Sequence, residues 1–280
     1  RSAESLREAA GRLSATLTGG DGAAWRDLCY STSCRRSHHE HRLAVVARSR
    51  SSAAEAMDAF LRGLSHPDVA SGYALPGAAP RVVFLFTGQG GQWSGAGRAL
   101  LEEEPVFREA LRSVDAVLMK LAGWSVIEEL QREQPRFELA HISQPAHFAL
   151  QAALVALLRS WGLEPDAVLG SSIGEAAAAH AAGVLSVEDS MRITLERSRI
   201  LAAVAGTGAM SAVELSEAEA TEAIAGHGTR LSVAALNSPT SVLLSGDAGA
   251  MEEVLGALTA RGVSCRRLGL DYASHSHAVE

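Results

Sequence analysis

The chain lacks the features that mark several large classes of protein. No apolar run in its 280 residues reaches the roughly 18 that a membrane-spanning helix needs, so no membrane partner is expected. Residues 1–20 alternate charge with Ala and Leu and hold no signal-peptide core. Cysteine is scarce, at three; an odd number in a chain this long fits a reducing cytoplasm rather than a disulfide framework. Positive charge is not in excess. The formal net charge of −7 argues against nucleic acid as a main partner. Composition is otherwise ordinary for a globular protein, with 47% apolar and 20% charged residues, and the length allows a full core and two domains.

The chemistry concentrates at residues 168–175, Val168-Leu169-Gly170-Ser171-Ser172-Ile173-Gly174-Glu175. This is G-x-S-x-G, with an apolar run before it and an alanine-rich run after it. The pattern predicts a buried strand, a sharp turn and a helix. A serine at the tip of such a turn projects its hydroxyl outward, and flanking glycines remove the Cβ clashes of a tight turn. The hydroxyl also lies at a helix N-terminus, where free backbone N–H groups can receive developing negative charge. The plainer reading is a Gly/Ser-rich surface turn; the strand-turn-helix context favours Ser172 as a nucleophile.

In chain order, apolar spacing predicts an amphipathic helix over 4–17. Cys29 and Cys34, then His38, His39 and His41, fit neither C-x2-C nor H-x3-H spacing, so this stretch reads as a polar loop and no metal site is expected. A strand follows at 43–47 and a capped helix at 51–64, with a Pro- and Gly-rich linker over 65–80. The region 1–80 is thus a small α/β unit. The apolar run at 82–86 predicts a strand of a parallel sheet covered on both faces. Glycines at 88, 90 and 91 at its end suit an anion or oxyanion site; no Gly-Lys-Ser/Thr ending follows, which sets a phosphate loop aside. Helices are expected near 95–120, 124–131, from Ser143-Gln144-Pro145 to about 161, and 186–205, with the second core strand at 165–170.

From 206 the order changes to strand, helix, two strands, helix, strand (210–215, 216–225, 231–236, 241–245, 248–261, 263–270). That order is the split βαβ, or ferredoxin-like, unit, inserted into the larger domain. A serine nucleophile needs a base, and His275 is the best placed of ten histidines, at the insertion's exit. An ordinary surface histidine is the competing reading, His277 is a weaker alternative base, and His180 reads as a structural group capping a turn.

Gly88-Gln89-Gly90, Gly170-x-Ser172-x-Gly174-Glu175, Arg197 in Leu195-Glu196-Arg197-Ser198-Arg199, and Tyr272-Ala273-Ser274-His275-Ser276 occur in one order. On these motifs the chain resembles the malonyl-type acyltransferase domains of modular polyketide synthases, and 1–80 resembles their ketosynthase–acyltransferase linker. The resemblance implies an α/β-hydrolase-like core over 81–205, resumed at 271–280, with a ferredoxin-like subdomain at 206–270. It implies Ser172 as nucleophile, His275 as base, and backbone N–H groups of Gln89 and Ile173 as the oxyanion hole. Arg197 would bind the extender unit's carboxylate; Arg199 is expected at the surface. No cofactor would be bound covalently: acyl-coenzyme A is the substrate, and phosphopantetheine sits on an acyl carrier protein partner, beside an adjacent ketosynthase.

Two departures from the family bear on function. The residue before the nucleophile is usually histidine, and here it is Ser171. The chain also ends five residues past His275, whereas family members carry later segments that complete the core and orient the histidine; the resemblance therefore implies a fragment, or a piece completed separately. The specificity positions are Ser171, Tyr272 and Ser274. Tyr272 and Ser274 resemble methylmalonyl-selective domains, where malonyl-selective relatives carry Phe in place of Ser274; the stiff Ile173 after the nucleophile resembles malonyl-selective domains instead, and Ser171 removes a further family cue. Methylmalonyl is the expected unit. A serine esterase or thioesterase is the rival enzyme, which Arg197 disfavours, and a non-catalytic docking segment is the rival of a different class.

Overall fold

The computed structural model describes residues 2–19, 22–75, 77, 80–88, 95–206, 208–270 and 272–279. The chain divides into two compact units, 1–80 and 81–280. The first holds α1 (Ala3–Thr18), α2 (Trp25–Cys34), β1 (His41–Val45), α3 (Arg50–Leu61) and β2 (Val69–Tyr73). Its small core joins Leu17, Ala53 and Met57 to Leu13, Trp25, Leu28 and Val45. Two elements differ from expectation. The supposed polar loop contains α2, which has no side-chain cap and no fully buried residue; Trp25 and Leu28 pack only partly into the core, so the start signal is missing and the apolar side is short. The supposed linker contains β2, whose Ala-Ser-Gly centre has no strand alternation; it forms by antiparallel pairing with β1, where His41 faces Tyr73 with ring centroids 5.0 Å apart. Helix α3 ends before the expected 64 because Gly63 turns into the left-handed region, at φ 73°.

The second unit begins with β3 (Val83–Phe86), followed by α4 (Arg98–Glu103), α5 (Pro105–Ala122), α6 (Val126–Gln131), α7 (Ala140–Ser160), β4 (Ala167–Gly170), α8 (Gly174–Ala181) and α9 (Val187–Ala203). Phe107, Leu111, Val114 and Leu118 recur at three- and four-residue spacing on α5, and all are buried. This stripe packs with α7, α8 and α9 into the main core. Each such side chain contributes roughly 1.5–3 kcal/mol on burial. Helix α7 starts at Ala140 and carries Pro145 inside it, rather than starting at Ser143. Pro145 lacks the N–H of one helical hydrogen bond, but it lies near the N-terminal end, where such loss is cheapest.

Strands β3 and β4 pair in parallel, Val83 with Ala167 through Phe86 with Gly170. The expectation of cover on both faces is not met among the described residues. Phe84, Phe86 and Val168 pack into the core, while Val83, Leu85 and Leu169 are exposed. The described helices cover one side of the pleat, and alternation sends every second side chain to the other.

The remaining elements are β5 (Gly208–Val213), α10 (Glu217–Ile224), β6 (Leu231–Ser238), β7 (Ser241–Asp247), α11 (Ala248–Ala260) and β8 (Cys265–Arg267). They form an antiparallel sheet of order β6-β7-β5-β8, the ferredoxin-like arrangement inserted into an α/β core. Ala209, Val213, Val242 and Leu244 pack against Ala220, Ile224, Met251 and Leu258 of the two helices. A reciprocal Ser216–Glu219 capping box starts α10 and Asp247 caps α11. Strand β8 is much shorter than the expected 263–270: after Leu268 N–H bonds the Met210 carbonyl, the chain leaves the sheet. No helix among the described residues is long and apolar enough to cross a membrane.

Candidate active site

Ser172 sits between β4 and α8 with φ 56°, in the left-handed region. A non-glycine residue there costs on the order of 1–3 kcal/mol and persists only where its surroundings over-determine it. The surroundings are two glycines. A Cβ on Gly170 would lie 2.5 Å from Glu175 Cα, and one on Gly174 would lie 2.2 Å from the Phe86 carbonyl oxygen. The turn is fastened further by Ser171 N–H donating to Phe86 O at 2.9 Å and Gly174 N–H donating to Ser171 O at 2.9 Å. Each glycine of G-x-S-x-G is thus required by close backbone approach. Glu175 N–H bonds the Ser172 carbonyl, whereas the Ile173 N–H makes no hydrogen bond to a described residue. The Ile173 side chain is buried.

His275 reaches the serine from the far end of the unit. Its Nε2 lies 2.8 Å from Ser172 Oγ, and it too is left-handed, at φ 58°. Arg197, on α9, donates from Nη2 to the same Oγ at 2.7 Å. The hydroxyl therefore accepts from a guanidinium and can donate its own proton to imidazole. The Nη1 of Arg197 is buried and has no hydrogen-bond partner among the described residues. An unpaired buried cationic donor is costly and calls for an acceptor, and a carboxylate fits a guanidinium best. Arg199, two residues on, is exposed and paired with Glu196. A cavity of about 590 Å³ opens beside His275 and Arg197, lined also by Ile193, Glu196, Ile200 and Ser274.

Electrostatics adjust both groups. Burial, then the neighbouring Arg197 charge, holds the His275 imidazole below the ordinary histidine range, with Glu175 opposing. Burial also lowers the Arg197 guanidinium, against Glu175 and Tyr272; its ordinary value is so high that it stays protonated. The sign of the pH effect follows. An imidazolium cannot accept a proton, so a base with lowered pKa switches on below the ordinary value of ~6.5 as pH rises. Labelling of Ser172 measured against pH is expected to rise to its plateau through a midpoint below that value. Arg197→Ala removes a positive neighbour and is expected to move the midpoint upward; a midpoint that stays in place contradicts the coupling.

The other sequence-derived residues fall into place variously. Ser274 is buried next to His275 in the chain, its Oγ donating to Met210 Sδ at 3.1 Å. Tyr272 is buried in a packing cluster with Ala140 and Leu201. Ser171 is exposed. His180 caps a turn through Nδ1 and the Leu185 carbonyl, 3.2 Å apart, and His277 is exposed. Gln89 lies outside the described residues. Among the described residues no group of three or more His, Cys, Asp and Glu could hold a metal ion. A larger cavity, about 810 Å³, lies within the first unit and is lined by Leu13, Leu17, Trp25 and Met57 with His38 and His41; it contains none of the serine site.

Sequence reading missed the support of the Thr87 carbonyl, which leads into the glycine cluster. His147 Nε2 lies 2.8 Å from it and Gln151 Nε2 donates to it at 3.1 Å. Burial depresses the His147 pKa, and because a carbonyl oxygen only accepts, Nε2 is the nitrogen that carries the proton in this bond. Their four-residue spacing within the otherwise apolar stretch 146–158 of α7 was the available signal.

An elbow serine between a parallel strand and a helix N-terminus, with a histidine on its hydroxyl, is an arrangement of the α/β class. The chain belongs to the acyl transferase domain family, which matches residues 83–280, and residues 1–57 match the CurL-like, PKS C-terminal family. It is 41% identical to polyketide synthase GfsE of Streptomyces halstedii, over 100% of this chain and 8% of that protein. It is 40% identical to erythronolide synthase EryA2 of Saccharopolyspora erythraea, over 88% of this chain and 7% of that protein. The chain thus spans a small fraction of these curated relatives. Among solved structures it resembles the acyltransferase domain from module 8 of the salinomycin polyketide synthase, with TM-score 0.88 and 36% identity, over 98% of this chain and 65% of that one. It also resembles the acyl transferase domain of SpnD in complex with 2-(pent-4-yn-1-yl)malonyl, with TM-score 0.82 and 31% identity, over 100% of this chain and 65% of that one.

Proposed function

We propose that the chain takes a carboxyacyl group from coenzyme A onto Ser172 and passes it to the phosphopantetheine thiol of an acyl carrier protein, within a polyketide synthase that also carries a ketosynthase. The observation that carries this reading is the convergence of His275 and Arg197 on one serine hydroxyl, with an unpaired Arg197 Nη1 beside them. In the first half-reaction Ser172 Oγ attacks the thioester carbonyl while His275 Nε2 takes its proton. The tetrahedral oxyanion is met by the Ile173 N–H and, as the family resemblance implies, by that of Gln89. Collapse breaks the C–S bond, and coenzyme A leaves with the proton from His275. In the second half-reaction His275 takes the proton of the carrier thiol, whose sulfur attacks the seryl ester, and Ser172 leaves reprotonated.

Methylmalonyl is the favoured unit. Ser274 is small and lines the cavity beside His275, which leaves room for an α-methyl, and the SpnD relative holds a malonyl bearing a larger substituent. A single methyl group is worth only about 1–3 kcal/mol, so discrimination is incomplete. Equimolar malonyl- and methylmalonyl-coenzyme A in competition, read as the ratio of adducts on Ser172, test the choice. A methylmalonyl excess is expected; a malonyl excess refutes it.

A further inference from the structure

The four-stranded sheet has a second face, directed away from α10 and α11. On a freestanding unit of this kind that face would be wet, yet Met210 of β5 and Ser245 of β7 are both buried on it. What covers them is the segment that enters His275. Ser245 Oγ donates to the Ser274 carbonyl at 2.6 Å. Ser274 Oγ donates to Met210 Sδ. A Cβ on Gly208 would lie 2.5 Å from Ala273 N, so strand and segment touch backbone to backbone. All these contacts fall within two residues of His275, whose left-handed φ of 58° must be imposed from outside. The Ser245 bond is the one that acts on the peptide unit joining Ser274 to His275.

We propose that Ser245 is a positioning residue for His275. Its buried hydroxyl fixes the peptide that enters the base, so the ferredoxin-like subdomain sets the distance between imidazole and Ser172. This rests on the reading of His275 as the base. Losing the bond leaves a buried carbonyl unpaired and frees the backbone to leave its strained well. An imidazole displaced by a fraction of an ångström still leaves the Arg197 side of the cleft intact, so the acylation rate changes and acyl-coenzyme A binding does not.

The same sheet supplies an internal control. Ser211 of β5 is fully buried on the opposite face, and its Oγ has no hydrogen-bond partner among the described residues. Acylation of Ser172 by methylmalonyl-coenzyme A, followed across donor concentration by intact mass, compares wild type with S245A, S245C, S211A and H275A. For S245A the saturated rate is expected to fall about 10–100-fold, with half-saturation unchanged within about twofold. S245C, a near-isosteric but weaker donor, is expected to fall between, and it carries the test should S245A melt below the assay temperature. S211A is expected to match wild type. Wild-type rates for S245A and S245C, a loss confined to half-saturation, or an equal loss in S211A overturns the proposal. Failure of the underlying reading looks different: H275A then acylates at the wild-type rate, and the proposal falls with it.

Discussion

Replacing Ser172 with alanine is expected to abolish covalent acylation by carboxyacyl-coenzyme A, a loss of at least about a thousandfold, whereas Ser171→Ala keeps most of it. The two serines are adjacent but differently held. Ser172 has the left-handed backbone, and its Oγ lies within hydrogen-bond reach of both His275 and Arg197. Ser171 is exposed, and its backbone is committed to the Phe86 carbonyl and the Gly174 N–H. Its contribution is to the turn, through groups that alanine retains. Peptide mapping of the acylated chain checks this, and an adduct on Ser171 with none on Ser172 sinks the assignment.

Arg197→Ala is expected to turn preference from carboxylated towards uncharged acyl groups such as acetyl. The substrate carboxylate, left unpaired in the cleft, costs about 2–4 kcal/mol, or roughly 30- to 1000-fold in loading, while an uncharged acyl group loses none of that interaction. The present bond from Nη2 to Ser172 does not exhaust the guanidinium, since Nη1 remains unpartnered among the described residues. Loading measured with malonyl-, methylmalonyl- and acetyl-coenzyme A separates a carboxylate clamp from a structural arginine. An acetyl-to-malonyl ratio equal to that of wild type removes Arg197 from the substrate. A structural arginine lowers all three rates together.

How much of this was legible in the sequence depended on how local each constraint is. The elbow was legible because its causes sit within residues 167–181: an apolar strand, two glycines and an alanine-rich helix. The structure supplies the reason for the glycines, namely Glu175 and the Phe86 carbonyl. The βαββαβ order was legible because its strands have their own pattern and each helix its own cap. His275 was not placed by pattern at all. It lies 103 residues from Ser172, and only its position at the insertion's exit and the family resemblance drew attention to it.

Other features were hidden for physical reasons. Helix α2 is uncapped and has no fully buried residue, and β2 exists through pairing with β1, so neither carries a strong signal of its own. A continuous apolar run such as 82–86 reads as covered on both sides, yet Leu85 and Leu169 face outward; composition cannot report which face the helices take. The hold of His147 and Gln151 on the Thr87 carbonyl, and of Ser245 on the Ser274 carbonyl, comes from side chains bonding distant backbone. The four-residue spacing of His147 and Gln151 hints at the first of these; the second leaves no pattern in sequence.

The most direct test of a serine that accepts and returns an acyl group is intact-mass spectrometry in two steps. The protein is mixed with methylmalonyl-coenzyme A, desalted and weighed, then given a phosphopantetheinylated carrier protein and weighed again. One carboxyacyl increment on this chain, mapping to Ser172, is expected in the first step, and its loss with a matching gain on the carrier in the second. No increment, or an increment lost to water with no gain on the carrier, contradicts an acyltransferase working through Ser172.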